Sequence, residues 1–374
     1  MEEVPAGWSG PIFHLSHDYP VSKPPPPAGG YPWKQFDFRT QPAHYAQAVL
    51  NYGRSDLESE QIDWDPTKLA VPTWFHTPWM ASGTQRERGR EFIHGLTVER
   101  VGRLSELVQG GSTSRRFQNL AVGLYNDVGA WTIGRVWADP AAPDLSKAAF
   151  EDGAMSIKLL FTQATETDVP YLTNSKEWMA NLFDPAQNRR VPQTLRLLQV
   201  DIAVRESDND DLTGWVFGTF VYNGDLPGDS PFDRLTPVGL MWGNDPALVP
   251  DSGQSPVQGW INPNTGTYQH LGWAGRLNGP VDNPASSCLS CHSTAQAPQM
   301  ENMTPSPATL SNLEKLRWFR NIRAGAPFAD GAPSLDYSLQ MAVAYQNWSA
   351  WRETAEEPPA TPSHPARRFP VSRD

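Results

Sequence analysis

Residues 194–206 (TLRLLQVDIAVRE) and 214–224 (GWVFGTFVYNG) decide the fold. In Trp215-Val216-Phe217-Gly218-Thr219-Phe220-Val221-Tyr222 large residues occupy both parities, which predicts a strand covered on both faces. The earlier segment alternates less cleanly: Gln199, Asp201 and Ala203 oppose Leu198, Val200 and Ile202. Asn223-Gly224 and the cluster around Gly228 supply turns. Runs rich in β-branched and aromatic residues recur at 120–127 (LAVGLYND), 130–138 (AWTIGRVWA), 154–163 (AMSIKLLFTQ) and 237–245 (PVGLMWGND). An antiparallel sheet is the economical reading. The expected class is α+β, with a mainly antiparallel β-sheet core, an irregular Pro-rich N-terminal arm and a C-terminal helical segment.

Outward from this core, residues 1–90 carry Pro24-Pro25-Pro26-Pro27 and many aromatics without sustained periodicity, and are expected to pack as an arm over the β-rich domain of 91–285. Within the arm, 44–53 (HYAQAVLNYG) predicts a short helix ended by Gly53. The segment 286–353 turns helical. Ser311-Asn312-Leu313-Glu314 is a capping-box pattern, and Leu310, Leu313, Leu316, Phe319 and Ile322 recur up to a stop at Gly325. A second helix is predicted from about Leu335 to Trp351, with Leu335, Leu339, Ala342, Tyr345 and Trp348 on one face; the tail of 354–374 is expected to be mobile.

Composition narrows the function classes. With 374 residues, 39% hydrophobic and 11% aromatic, the chain can bury a large core. Its 36 prolines, about twice the usual frequency, disfavour bundles, coiled coils and solenoids. A net charge of −11 argues against nucleic-acid or anionic-membrane binding and suits a basic partner protein. No run is long and apolar enough to span a bilayer, and no integral membrane segment is expected.

The 2 cysteines lie together in Cys288-Leu289-Ser290-Cys291-His292, the C-x-x-C-H pattern for covalent attachment of haem c. If Ser286 or Ser287 caps a helix after Pro284, both thiols fall at i and i+3 on one face, as two thioether bonds require. His292 then follows as proximal iron ligand. A structural zinc site wants four ligands, a thioredoxin-like pair wants a βαβ context, and a disulfide in so tight a loop is the remaining competitor. Haem attachment implies an exported, periplasmic location. The opening MEEVPAGWSG lacks a basic start and an apolar core, so the expectation is a mature form whose leader is replaced by Met1.

The sixth iron position decides between an electron carrier and a ligand-binding haem. Met300, Met303 and Met341 follow the motif, and Met341 has the His-then-Met order of monohaem cytochromes c, although core packing accounts for it equally well. His94 with Arg90 (GREFIHGLT, 89–97) and His76 (TWFHTPWM, 73–80) could form a pocket wall, with a scaffold role the alternative. His270 could pack beside the haem. The acidic stretch Asp208, Asp210 and Asp211 reads as a solvated turn, with a calcium loop as the competing reading.

Phe150-Glu151-Asp152-Gly153-Ala154-Met155-Ser156-Ile157-Lys158, then 214–224, then CLSCH resembles the monohaem cytochromes with a lysine-crosslinked haem that oxidise hydroxylamine, and their cytochrome c′-beta relatives. The likeness covers about 117–295 and leaves the arm and C-terminal segment without counterparts. It implies a curved antiparallel sheet, a five-coordinate haem with His292 as its only protein ligand, a distal face lined from the sheet, and Lys158 as the residue to test for a cross-link; an ordinary strand lysine is the alternative.

Two function classes remain open. One is a haem enzyme or ligand-binding protein acting on hydroxylamine, a nitrogen oxide or peroxide. The other is a periplasmic electron-transfer cytochrome whose acidity favours a redox partner with a basic docking surface. The spacings of zinc proteases, P-loop hydrolases and α/β-hydrolases are missing.

Overall fold

The β-branched and aromatic runs pair almost in chain order. In the computed structural model, which describes residues 4–81, 89–265, 270–299 and 302–354, the strands are β1 (Trp74–Phe75), β2 (Thr97–Val98), β3 (Gly102–Arg103), β4 (Arg116–Phe117), β5 (Asn119–Asn126), β6 (Met155–Thr162), β7 (Glu177–Asp184), β8 (Arg189–Arg205), β9 (Trp215–Tyr222), β10 (Leu235–Met241) and β11 (Gly259–Ile261). The main sheet has the order β1-β5-β6-β8-β9-β10-β11, with β2 beside β5 and β7 beside β8; β3 and β4 form a separate ribbon. All pairings are antiparallel, so the fold is α+β around an antiparallel core. All eight residues of β9 are buried, as expected for a strand covered on both faces.

Register places the chemistry. Gly123, Lys158, Asp201, Thr219 and Gly239 form one row across β5, β6, β8, β9 and β10. Tyr125, Ser156, Ala203 and Phe217 form the adjacent row two residues along. Opposed residues share a face, as do residues two apart on a strand, so both rows project to the same side.

The helices are α1 (Pro42–Arg54), α2 (Leu104–Leu107), α3 (Asp127–Val136), α4 (Cys288–His292), α5 (Asn312–Lys315) and α6 (Leu339–Thr354). Helix α1 starts with Pro42 in its first turn and buries Tyr45, Ala46, Val49, Leu50 and Gly53 along one stripe. Gly53 lies inside this helix instead of ending it, and its lack of a side chain serves packing: a Cβ there would come within 2.8 Å of the Ile157 side chain. The arm is integral to the core: Trp33 is fully buried, stacked on Tyr31 at 4.6 Å and edge-on to Tyr52 at 4.9 Å.

Three further expectations require correction. Residues 130–138 are largely helical, not a strand. The Asn126 side chain accepts from the Gly129 amide at 3.0 Å, and Val128, Thr132, Ile133 and Val136 then line a buried helical face. The helix expected up to Gly325 ends as a 3-10 turn at Phe319, which stacks on Trp273 at 4.6 Å while Arg320 is extended. The helix expected from Leu335 begins at Leu339, because Asp336 and Tyr337 have left-handed φ values of 46° and 65°. Asp336 is held there by the Trp215 indole at 3.0 Å and the Phe150 amide at 2.7 Å. Met300 and the tail beyond Thr354 lie outside the described residues. Among the described residues no helix is long and apolar enough to cross a membrane.

Candidate functional site

Ser287 is the cap of α4. Its hydroxyl accepts from the Ser290 amide at 3.2 Å, while its own amide donates to the Ser290 hydroxyl at 2.8 Å. This fixes a five-residue helix that puts Cys288 and Cys291 three positions apart, both as free thiols. His292 closes it. Its Nδ1 lies 2.8 Å from the Tyr337 carbonyl, so Nδ1 carries the proton and donates, and Nε2 keeps its lone pair. Burial lowers the imidazole to about 4, leaving it neutral at pH 7. Burial also pushes Cys291 up to about 12 and, with the nearby Asp282 and Asp201 carboxylates, drives Cys288 well above its ordinary value. Neither is a reactive thiolate of the thioredoxin kind.

All three side chains line a cavity of about 500 Å³, within the size range of cofactor sites. The sheet supplies much of its wall, including Lys158, Asp201 and Thr219 from the polar row and Tyr125 and Phe217 from the neighbouring one. The Phe217 ring lies 4.6 Å from the His292 ring, and the Thr219 hydroxyl is 3.6 Å from the Cys288 sulfur. The CxxCH helix and the strand lysine, far apart in sequence, therefore meet in one chamber.

Charge is concentrated on the polar wall. Lys158 Nζ pairs with Glu99 at 2.9 Å; burial works against its charge, but Glu99 and Asp201 outweigh that and raise its pKa. Burial and the Asp282 carboxylate push Asp201 up to about 7, against the pull of Lys158, Gln199 and Thr219. Burial raises Asp282 as well. Arg100 pairs with Glu106 and donates to the carbonyls of Val281 at 3.2 Å and Asp282 at 3.0 Å, pinning the loop that carries Asp282. Glu99, Arg100, Asp201 and Asp282 were not singled out from sequence as site residues; the available signal was Asp201 on the polar parity of an otherwise apolar strand.

Of the other described residues singled out from sequence as site candidates, all but Met303 lie off this wall. His94 stacks on Trp178 at 4.4 Å and bonds the Met179 carbonyl at 2.9 Å. His76 is fully buried, accepting from the Ser16 amide at 3.1 Å, and Arg90 donates to the Gly95 carbonyl at 2.5 Å beneath the Phe13 ring. These last two brace the arm. Met341 is buried in α6 and not among the cavity-lining residues, whereas Met303 lines the cavity. His270 bonds the Gly279 carbonyl at 3.0 Å and is also off the wall. The acidic turn is tied into the protein by Arg205–Asp210 at 2.7 Å and Arg39–Asp211 at 3.4 Å. Among the described residues no group of three or more His, Cys, Asp or Glu side chains is placed to hold a bare metal ion.

No family model, curated protein or solved structure matches the chain.

Proposed function

We propose that this chain is a monohaem c-type cytochrome whose cavity binds a small redox molecule such as hydroxylamine, a nitrogen oxide or peroxide. One observation carries the reading: two unpaired thiols at i and i+3 and a neutral imidazole with its Nε2 lone pair free converge on a cofactor-sized cavity. The donor set fits haem c. Cys288 and Cys291 would hold the porphyrin through thioethers, and His292 would ligate the iron. When bound, the haem supplies one-electron exchange and a coordination site. The chain's own residues orient and shield: the Tyr337 carbonyl fixes the imidazole, Phe217 packs beside it, and Lys158 and Asp201 present polar groups to whatever enters. Attachment would take place outside the cytoplasm, and an electron-accepting partner protein with a basic docking surface would suit the acidic chain.

Met303 on the cavity wall favours a second reading, a six-coordinate electron carrier. Mass spectrometry of the purified protein tests the first step, because a mass equal to the bare polypeptide refutes attachment; a digest also reads whether the Lys158 peptide carries haem. Carbon monoxide added to the reduced protein separates the readings. Rapid binding with a shifted main band supports the open site. No response supports the carrier, and Met303→Ala should then open it.

A further inference from the structure

We propose that Asp201 and Asp282, clamped by Gln199, form a carboxylate pair that shares one proton and acts as the proton acceptor for protic ligands in the cavity. Gln199 is fully buried on β8, and its Nε2 donates to Asp201 Oδ1 at 2.9 Å, to Asp201 Oδ2 at 3.0 Å and to Asp282 Oδ2 at 3.0 Å. One nitrogen thus ties the two carboxylates together, with oxygens within about 6 Å of each other, close enough for like charges to disfavour double ionisation. The far end of the amide is fixed too: Gln199 Oε1 accepts from the Val281 amide at 3.0 Å. Gly279, whose amide donates to Asp282 Oδ2 at 2.9 Å, has no room for a Cβ against the Gln199 amide.

The surroundings leave the pair short of positive charge. Facing it are Lys158 from β6, Thr219 from β9, Cys288 from α4, Glu99 and Arg100 after β2, and Glu106 behind Arg100. Lys158 is already paired with Glu99 and Arg100 with Glu106, while Thr219 donates to Asp201 Oδ1 at 2.9 Å. The burial that raises both carboxyls agrees with one retained proton. The member of the pair that carries no proton can take one from a ligand with an acidic N–H, O–H or C–H bond; the bonding electron pair stays on the ligand and the carboxylate becomes neutral. Gln199 is a positioning residue in this scheme.

The proton-accepting role rests on the haem reading, but the shared proton does not, and the experiment separates them. In pH-difference infrared spectra of the holoprotein, a protonated-carboxyl band should disappear around neutral pH. Asp201→Asn and Asp282→Asn should each abolish that titration, and Gln199→Leu should displace it. Absence of the band in the wild-type protein overturns the pair whatever the variants do. In the ferric protein, hydrogen cyanide, which must lose a proton to bind, should associate at least ~10-fold more slowly in Asp201→Asn. Carbon monoxide, which has no proton to lose, should be slowed far less in the reduced variant than hydrogen cyanide is in the ferric one. Equal slowing of both ligands, or of neither, overturns the proton-accepting role. A chain without haem would refute the haem reading and leave the infrared result to decide the pair.

Discussion

Asp201→Asn should stabilise the protein increasingly as pH rises. In the folded chain burial and the Asp282 carboxylate hold Asp201 up to about 7, against about 3.9 for an unperturbed aspartate. A carboxyl raised on folding contributes stability that is fully present below pH 4 and lost as pH climbs through 7. Asparagine can keep the hydrogen bonds from Gln199 and Thr219 without the charge. Between pH 5 and 7 the wild-type protein therefore loses two pH units at about 1.4 kcal/mol each, so the variant's advantage should grow by about 2–3 kcal/mol from pH 5 to pH 8. Urea unfolding of both proteins at the two pH values measures it. With a slope near 3 kcal/mol per molar urea, the midpoint difference should widen by roughly 1 M. An advantage that stays constant, or shrinks toward pH 8, would refute the assignment of Asp201 as a proton-retaining carboxyl in the folded state.

Other substitutions probe the remaining parts. Met341→Ala should cost about 2–4 kcal/mol from lost packing and, on the haem proposal, leave the haem absorption band unchanged; a changed band would make that sulfur a ligand. Trp33→Ala removes a fully buried ring with two aromatic partners and should cost about 3–5 kcal/mol in global unfolding; an unaltered midpoint would show that the arm is not part of the cooperative core. On the haem proposal, Cys288→Ala and Cys291→Ala should each keep haem through the remaining sulfur after acid–organic extraction, and the double variant should lose it. Haem retained by the double variant would remove the thioether assignment.

The sheet was legible wherever composition and turn chemistry agreed. Both decisive stretches are strands, and the mixed parity of 215–222 matches burial on both faces. Residues 130–138 misled because Trp131, Thr132, Ile133 and Val136 have strand-like side chains; the Asn126 cap and a tertiary surface that accepts a helical stripe overrode that preference. The ends of the C-terminal helices were hidden for a related reason. Asp336 stops one by bonding Trp215, a residue 121 positions away, and no local pattern encodes such a partner. In the cavity, CxxCH was legible because its spacing is local. Asp282 and Glu99 were not, since loops bring them in and their significance is their distance from Lys158 and Gln199.

The polar row explains where the cavity can and cannot lie. Lys158, Asp201 and Thr219 interrupt three buried strands at one level, and each would be costly on a face packed against apolar side chains. At both ends of the row stand glycines, but neither extends the chamber. The space beside Gly123 is taken by the Gln340 side chain, and that beside Gly239 by the Trp260 carbonyl. The row is thus closed laterally by neighbours that only glycine admits, and its three polar members face the segment that carries Cys288 and His292. A small ligand in this chamber would meet the ammonium of Lys158 and the carboxyl of Asp201 on the wall it shares with the thiols, which is why charge and register, more than shape, should govern what it accepts.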